Sequence, residues 1–411
     1  MNKITFKKAL LPLAISLTLG SGAVNAGVLV QCPGDKDGDA AWNSGGESPP
    51  NDNVKCMHLT AGDGYGTMGD GKDTYLFSYA DITGVPTKTK QQKEAAIQAG
   101  ILAHQWPAPT IVLDEGDEFY LSLTNVGMLL RPDLFDTHTV HFHGFPQAAT
   151  VYDGVPDSSI SISMGATLTY YYKINDPGTY MYHCHVEATE HMQMGMLGNL
   201  YVKPAQNGTV YNYGGKAYSQ FAYNDGDGST GYDVEYPLQL GSFDGAFHDA
   251  SESTQPLPFA LMEDNYPMIN GRGYPDTVNP DPLPLPAALN GFRDDLPTTQ
   301  PVSSLITADA GDRVLLRISN LSIYRYYTLQ SLGLPMHVVG KDAKLLRTTG
   351  GTDLYYDTNS VQVGGGESFD VILDVPAGAS GKTFYLYSSN LNYLSNDDEA
   401  FGGMMTEIRI N

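Results

Sequence analysis

The chain has 411 residues, of which 41% are hydrophobic, 10% aromatic and only 17% charged, a balance that excludes disorder and indicates a packed globular protein of two or three domains. Against 46 acidic residues stand 23 basic ones, a net charge of −23 that repels phosphate backbones and anionic lipid and so argues against nucleic-acid or membrane-surface partners. The 45 glycines and 25 prolines favour short strands and turns over helical bundles.

The chain begins with Lys3, Lys7 and Lys8, an apolar run from Ala9 to Leu19, and the small-residue tetrad Ala23-Val24-Asn25-Ala26. This order predicts a signal peptide over 1–26 and an exported protein, periplasmic or extracellular. The apolar run is too short to span a bilayer and no later stretch is long enough, so no membrane span is expected. In an oxidising compartment Cys32 and Cys56 can pair, which leaves Cys184 without a partner. Residues 27–73, rich in Gly, Asp, Asn and Pro, read as an acidic, loop-rich segment stapled by that disulfide. Within it Asp35-Lys36-Asp37-Gly38-Asp39 spaces three carboxylates by two, as calcium loops do. No glutamate follows to complete an EF-hand, so a solvated acidic turn is the favoured reading and a calcium site its alternative.

A first domain is expected over 74–205. Its one helical pattern, Lys90 to Leu102, reads as an insertion ahead of Gln105-Trp106-Pro107-Ala108-Pro109. An internal repeat sets the architecture. Ile111 to Asn125 aligns without gaps on Ile306 to Asn320, sharing Asp114/Asp309, Gly116/Gly311, Asp117/Asp312 and Asn125/Asn320. Each copy is a β-run, a tight acidic-Gly turn and an alternating strand. Downstream, Thr179-Tyr180-Met181-Tyr182 before His183-Cys184-His185 matches Phe384-Tyr385-Leu386-Tyr387 before Ser388-Ser389-Asn390. A long, many-stranded unit repeated twice is a duplicated β-domain, not a solenoid. A linker over Lys203 to Lys216 leads to a second domain at 215–411, with a loop-rich stretch from Asp264 to Pro301. The fold class is therefore all-β.

Six of the ten histidines fall in two clusters, His138-Thr139-Val140-His141-Phe142-His143-Gly144 and His183-Cys184-His185 followed by His191 and Met196. Side chains alternate faces along a strand. If the two clusters pair, one face collects His138 and Cys184, and the other His141, His143, His183 and His185. His138, Cys184 and His191, with Met196 as a weak axial ligand, make the His₂Cys-plus-Met set of blue copper. The second site offers four imidazoles and no thiolate, suited to one or two copper ions that meet a small oxidant. His183 and His185 flank Cys184, giving a short covalent route between the sites. Zinc is the rival, but structural zinc favours several cysteines and would leave Met196 without a role. Met181, Met192 and Met194 read as barrel packing, with a copper-entry path as the alternative.

The two strings resemble the H-x-x-H-x-H-G and H-C-H-x3-H-x4-M motifs of the multicopper oxidase and cupredoxin superfamily, in a two-domain layout similar to two-domain laccases and copper nitrite reductases. One departure stands out: five residues, Val186 to Glu190, separate His185 from His191 where the oxidases usually have three. The resemblance implies two cupredoxin-like Greek-key β-barrel or sandwich domains, with type 1 copper on His138, Cys184, His191 and Met196. It implies type 2 and type 3 copper on His141, His143, His183 and His185. The nitrite reductases carry an aspartate at the position of His141, which favours dioxygen over nitrite as the acceptor. In the second domain, similar to the family's domain without type 1 copper, the matching stretches are His337-Val338-Val339-Gly340 and Ser388-Ser389-Asn390. They retain one histidine between them, so that domain does not complete a trinuclear cluster by the usual route. Pooling of histidines between subunits, in a trimer or face to face, or recruitment of a stray histidine, remain the ways to enlarge the second site. The expected function is a copper oxidoreductase that takes electrons from a small molecule, a metal ion or a redox protein; the alternative is a blue-copper carrier without a catalytic cluster.

Overall fold

A computed structural model describes residues 27–253 and 256–411; the stretch 1–26, expected to be a signal peptide, lies outside the described residues. Two β-sandwiches follow one another along the chain. In the first, one sheet runs in the order Asp73–Asp81, Val54–Thr67, Glu118–Gly127, Thr167–Lys173, and the facing sheet in the order Ile111–Asp114, Leu197–Lys203, Gly178–His183, His141–His143. The second repeats the plan. Val234–Phe243 lies parallel to Arg313–Asn320 as Val54–Thr67 lies parallel to Glu118–Gly127, and Ile306–Ala308 lies parallel to Met405–Ile410 as Ile111–Asp114 does to Leu197–Lys203.

The residues shared by the repeat have the same duty in each copy. The Asp117 carboxylate accepts from Asp114 N–H (2.9 Å) and the Asp312 carboxylate from Asp309 N–H (2.9 Å), fixing turns at whose tips Gly116 and Gly311 take φ of 100° and 91°. These turns carry the chain from one sheet of the sandwich to the other. Asn125 Nδ2 donates to Asp136 O and Ile162 O, and Asn320 Nδ2 to Arg325 O and Val363 O. Each Asn therefore ties down the loops at one end of its sandwich. In the first, that loop leads to His138.

Three sequence readings need correction. Val54–Thr67, expected to be irregular, is a 14-residue strand with sheet neighbours on both sides. Its glycines do not mark turns. A Cβ on Gly62 would stand 2.7 Å from His104 Cε1 and one on Gly64 2.9 Å from His104 O, so the glycines admit a crossing segment. The helix ends at Gly100 rather than Leu102; Thr89 and Gln92 form a reciprocal cap at its start. Two further short helices occur, Ala188–Gln193 and Gly245–Ser251. The first of them reshapes the site.

Each sandwich has its own apolar core. A third cluster joins them, with Trp106, Met181 and Leu197 of the first half against Phe243, Tyr266, Met268 and Leu321 of the second. The Trp106 ring lies tilted with its centroid 4.7 Å from that of Phe243 and fills the space that a Cβ on Gly271 would need. Cys32 and Cys56 are disulfide-bonded, whereas Cys184 is free and buried. Among the described residues no helix is long and apolar enough to cross a membrane.

Candidate metal centre

The two histidine clusters meet as adjacent antiparallel strands, with His141 opposite His183 and His143 opposite Met181. His138 lies just before one strand, anchored by a two-way backbone bridge to Ile162, while Cys184 and His185 extend the other. Alternation then separates two sites on opposite sides of the same pair of strands.

On the buried side, Cys184 Sγ lies 3.8 Å from His138 Nδ1 and 3.3 Å from His191 Nδ1, and all three residues are fully buried. The five-residue spacing is resolved by the helix Ala188–Gln193. Glu187 caps it in a left-handed conformation (φ 44°, ψ 48°), and one turn swings His191 inward. Met196 is buried beside this set. Its N–H donates to His191 O (2.9 Å) and its carbonyl accepts from Cys184 N–H (3.1 Å), so backbone bonds hold the two ends of the loop together. Burial raises the Cys184 thiol, but the His191 imidazole and backbone donors outweigh it and bring the thiol below its ordinary value. Burial lowers His191, but Cys184 and Asp136 together push it up to about 10. Burial holds the His138 imidazole well below its ordinary value. The outer ring nitrogens, His138 Nε2 and His191 Nε2, are buried without a hydrogen-bond partner.

On the other side, His141, His143, His183 and His185 line a cavity of about 330 Å³. Ring centroids stand 5.2 Å apart for His141 and His183, 5.1 Å for His141 and His185, and 6.2 Å for His143 and His183. His141 Nδ1 lies 2.6 Å from Asp153 O and His183 Nδ1 2.9 Å from Cys184 O. Carbonyls only accept, so each ring carries its proton on Nδ1 and keeps Nε2 as a lone-pair donor. Burial, with the neighbouring imidazoles, holds His183 down to about 3 and lowers His143, which favours the neutral, ligand-ready form of these two rings. The opposite wall belongs to the second sandwich: Leu321, Ser322, Ile323, Gly365 and Gly366. Gly366, at φ 85°, leaves the room that His143 occupies; a Cβ there would lie 2.8 Å from its ring. No second-sandwich histidine lines this cavity. His337 is instead paired with Asp357 (2.7 Å), and His58, His104 and His248 bond to hydroxyls and carbonyls elsewhere in the interior. Met181 and Met194 pack in cores, while Met192 lines the cavity.

Sequence reasoning missed Asp136 and Glu187. The structure brings one carboxylate oxygen of each within 4.8 Å of a His191 ring nitrogen, with Asp136 Oδ2 3.6 Å from Nε2. Asp136 stands two residues before His138 and Glu187 two after His185, but only the left-handed cap brings them to one spot.

Residues 85–207 and 247–408 each match a family described as multicopper oxidase. The chain belongs to the multicopper oxidase family. It is 34% identical over 105 residues to Multicopper oxidase MCE of Talaromyces pinophilus, an alignment covering 25% of this chain and 16% of that protein. It is 35% identical over 105 residues to Laccase abr2 of Aspergillus fumigatus, with the same coverage. The match thus spans about one sixth of the length of these relatives. Among solved structures, the Blue Copper Oxidase from Nitrosomonas europaea superposes with a TM-score of 0.59 at 22% identity, over 87% of this chain and 86% of that one, a likeness in fold. The sandwiches are accordingly cupredoxin-like.

The family implies copper, and the residues fit it. A free, buried sulfur and two imidazole Nδ1 atoms converge with no carboxylate among them, the soft donor set that copper prefers. The four-histidine cavity adds further imidazole donors, two of them fixed in the Nε2-presenting tautomer.

Proposed function

We propose that the protein is an exported copper oxidoreductase that removes single electrons from a donor at the Cys184 site and delivers them to a small acceptor, dioxygen, at the four-histidine cavity. The observation that carries this reading is the pair of strands whose opposite sides hold the two sites, with Cys184 covalently between His183 and His185. His138, Cys184, His191 and Met196 hold type 1 copper, and His141, His143, His183 and His185 hold the further copper. Copper bound there supplies one-electron redox chemistry at the first site and acceptor reduction at the second. The chain's part is to fix the ligands. Asn125 pins the His138 loop, the helix Ala188–Gln193 orients His191, and Asp153 O and Cys184 O set the tautomers of His141 and His183. The Cys32–Cys56 disulfide supports an oxidising, exported location.

The same geometry favours a cationic donor, a reduced metal ion above all. Asp136 is half-buried, with Oδ2 3.6 Å from the outer nitrogen of buried His191, and the exposed Glu187 carboxylate lies within 4.8 Å of a nitrogen of the same ring. Two carboxylates there attract a cation to within one imidazole of the Cys184 sulfur and repel anions. With ferrous ion as donor, oxygen uptake by the copper-loaded Asp136→Asn/Glu187→Gln protein should show KM raised about tenfold with kcat held, the pattern of lost ground-state binding. An unchanged KM would remove the two carboxylates from donor binding, and no oxygen uptake by the wild-type protein with any donor would remove the oxidase reading.

A further inference from the structure

The acidic turn in the N-terminal segment is only partly solvated, with Asp35 and Asp37 half-buried. Asp39 is completely buried, and its Oδ2, like Asp37 Oδ1, has no hydrogen-bond partner. Oxygens of Asp35, Asp37 and Asp39 lie within 4.8 Å of one another. Other oxygens of the cluster have donors, and Asp37 also bonds the Ser44 side chain. Asp35 Oδ1 accepts from Gly38 N–H (2.6 Å) and Oδ2 from Ala40 N–H (3.1 Å), Asp39 Oδ1 accepts from Ala41 N–H (2.8 Å), and the Lys36 ammonium is turned to Gly46 O (2.5 Å). Glu47, whose carboxylate accepts from Lys36 and Asp37 N–H, adds a fourth negative group beside them. Burial and the carboxylates of Asp39, Glu47 and Asp35 hold the Asp37 carboxyl above its ordinary value. A buried carboxylate oxygen left without a donor is costly, and like charges at this separation add to the cost. Something positive belongs between them.

We propose that Asp35, Asp37 and Asp39 form a calcium site. The donors are all oxygen, which selects a hard cation, and an irregular loop suits calcium's flexible six-to-eight-ligand geometry better than the strict octahedron of magnesium. The site has a structural consequence. The loop is stapled by Cys32–Cys56 and bonded to the segment ahead of the helix Lys90–Gly100: Thr87 N–H donates to Asp37 O (3.0 Å), Thr87 Oγ1 to Gly38 O (2.6 Å) and Gly84 N–H to Asp39 O (2.8 Å). Gly38, at φ 79°, is required for that contact, since a Cβ would stand 2.6 Å from Thr87 Oγ1. Calcium held by the three aspartates therefore fastens the N-terminal segment onto the first sandwich.

The test uses the full chain stripped with a chelator, and terbium as a luminescent stand-in for calcium. Trp42, whose Nε1 donates to Pro33 O (3.0 Å) in the same loop, serves as the sensitiser. The expected result is indole-sensitised terbium emission, displaced by calcium with a dissociation constant of about 10⁻⁴–10⁻³ M, the range of extracellular modules. Calcium should also raise the unfolding midpoint by several degrees, and equal magnesium should not. Asp37→Asn and Asp39→Asn should each weaken calcium at least tenfold; if the buried Asp39 variant does not fold, Asp37→Asn alone decides. The Cys184→Ser protein should bind calcium as the wild type does, which separates this site from the copper reading. Wild-type emission that millimolar calcium does not displace, or a calcium response that survives Asp37→Asn, would overturn the proposal.

Discussion

Cys184→Ser is expected to abolish the intense visible absorption of the copper-loaded protein, lower its copper content by one ion per chain, and cut donor oxidation at least ~100-fold, since substitutions of mere supporting groups already cost 10–100-fold in metal affinity or activity. The reasoning is geometric. Cys184 Sγ is the point on which His138 Nδ1 and His191 Nδ1 converge, and serine offers a hard, weakly acidic oxygen in its place. Serine is nearly isosteric, so the far-ultraviolet circular dichroism should not change. His143→Ala is the counterpart: it should keep the visible band while losing copper from the cavity. A Cys184→Ser protein that stays coloured would separate the sulfur from the metal and remove the first site.

Arg317→Ala should destabilise the fold by about 3–5 kcal/mol, the range for breaking one partner of a buried ion pair. Arg317 and Asp370 are both buried, with Arg317 Nη1 3.5 Å from Asp370 Oδ1 and Arg317 Nε 2.9 Å from Glu235 Oε2. Thr179 Oγ1 donates to Asp370 Oδ1 (2.6 Å) and Tyr223 to its other oxygen, so the network joins the strand that leads into His183 to the second sandwich. Removing the guanidinium leaves Asp370 charged in the interior. Arg317→Met, which keeps the volume, should be nearly as harmful, whereas Arg317→Met/Asp370→Asn should recover much of the loss in urea unfolding. Burial raises Glu235, but Arg317 and Lys203 outweigh it and hold its carboxyl below the ordinary range. Its contribution is accordingly complete above the ordinary glutamate pKa and lost as pH falls through the lowered folded value. Equal stability of Arg317→Ala and wild type would show that the network holds nothing.

The grouping of the histidines and Cys184 into two faces was legible in the sequence because strand alternation is a local rule. Once HTVHFHG and YHCH are placed side by side, facing follows from counting residues, and the register that sets His141 opposite His183 bears the rule out. The duplication was legible for a similar reason, since Asp117 works through a bond to Asp114 three residues back that recurs between Asp312 and Asp309. What escaped depends on distant crossings. Val54–Thr67 looks like loop because Gly62 and Gly64 make room for His104, over 40 residues away in the chain. Asp136 and Glu187 meet only through a left-handed cap that no periodicity announces. The burial of Asp39 follows from its docking on Gly84 and Thr87, not from its own neighbours in sequence.

We propose that one pair of strands carries two metal sites on opposite sides. Copper analysis combined with electron paramagnetic resonance on the reconstituted wild-type protein tests it most directly. The account predicts more than one copper per chain and a type 1 signal that vanishes in Cys184→Ser while cavity copper remains. A single copper per chain with the four histidines still titrating freely, or no type 1 signal in the wild type, would contradict it.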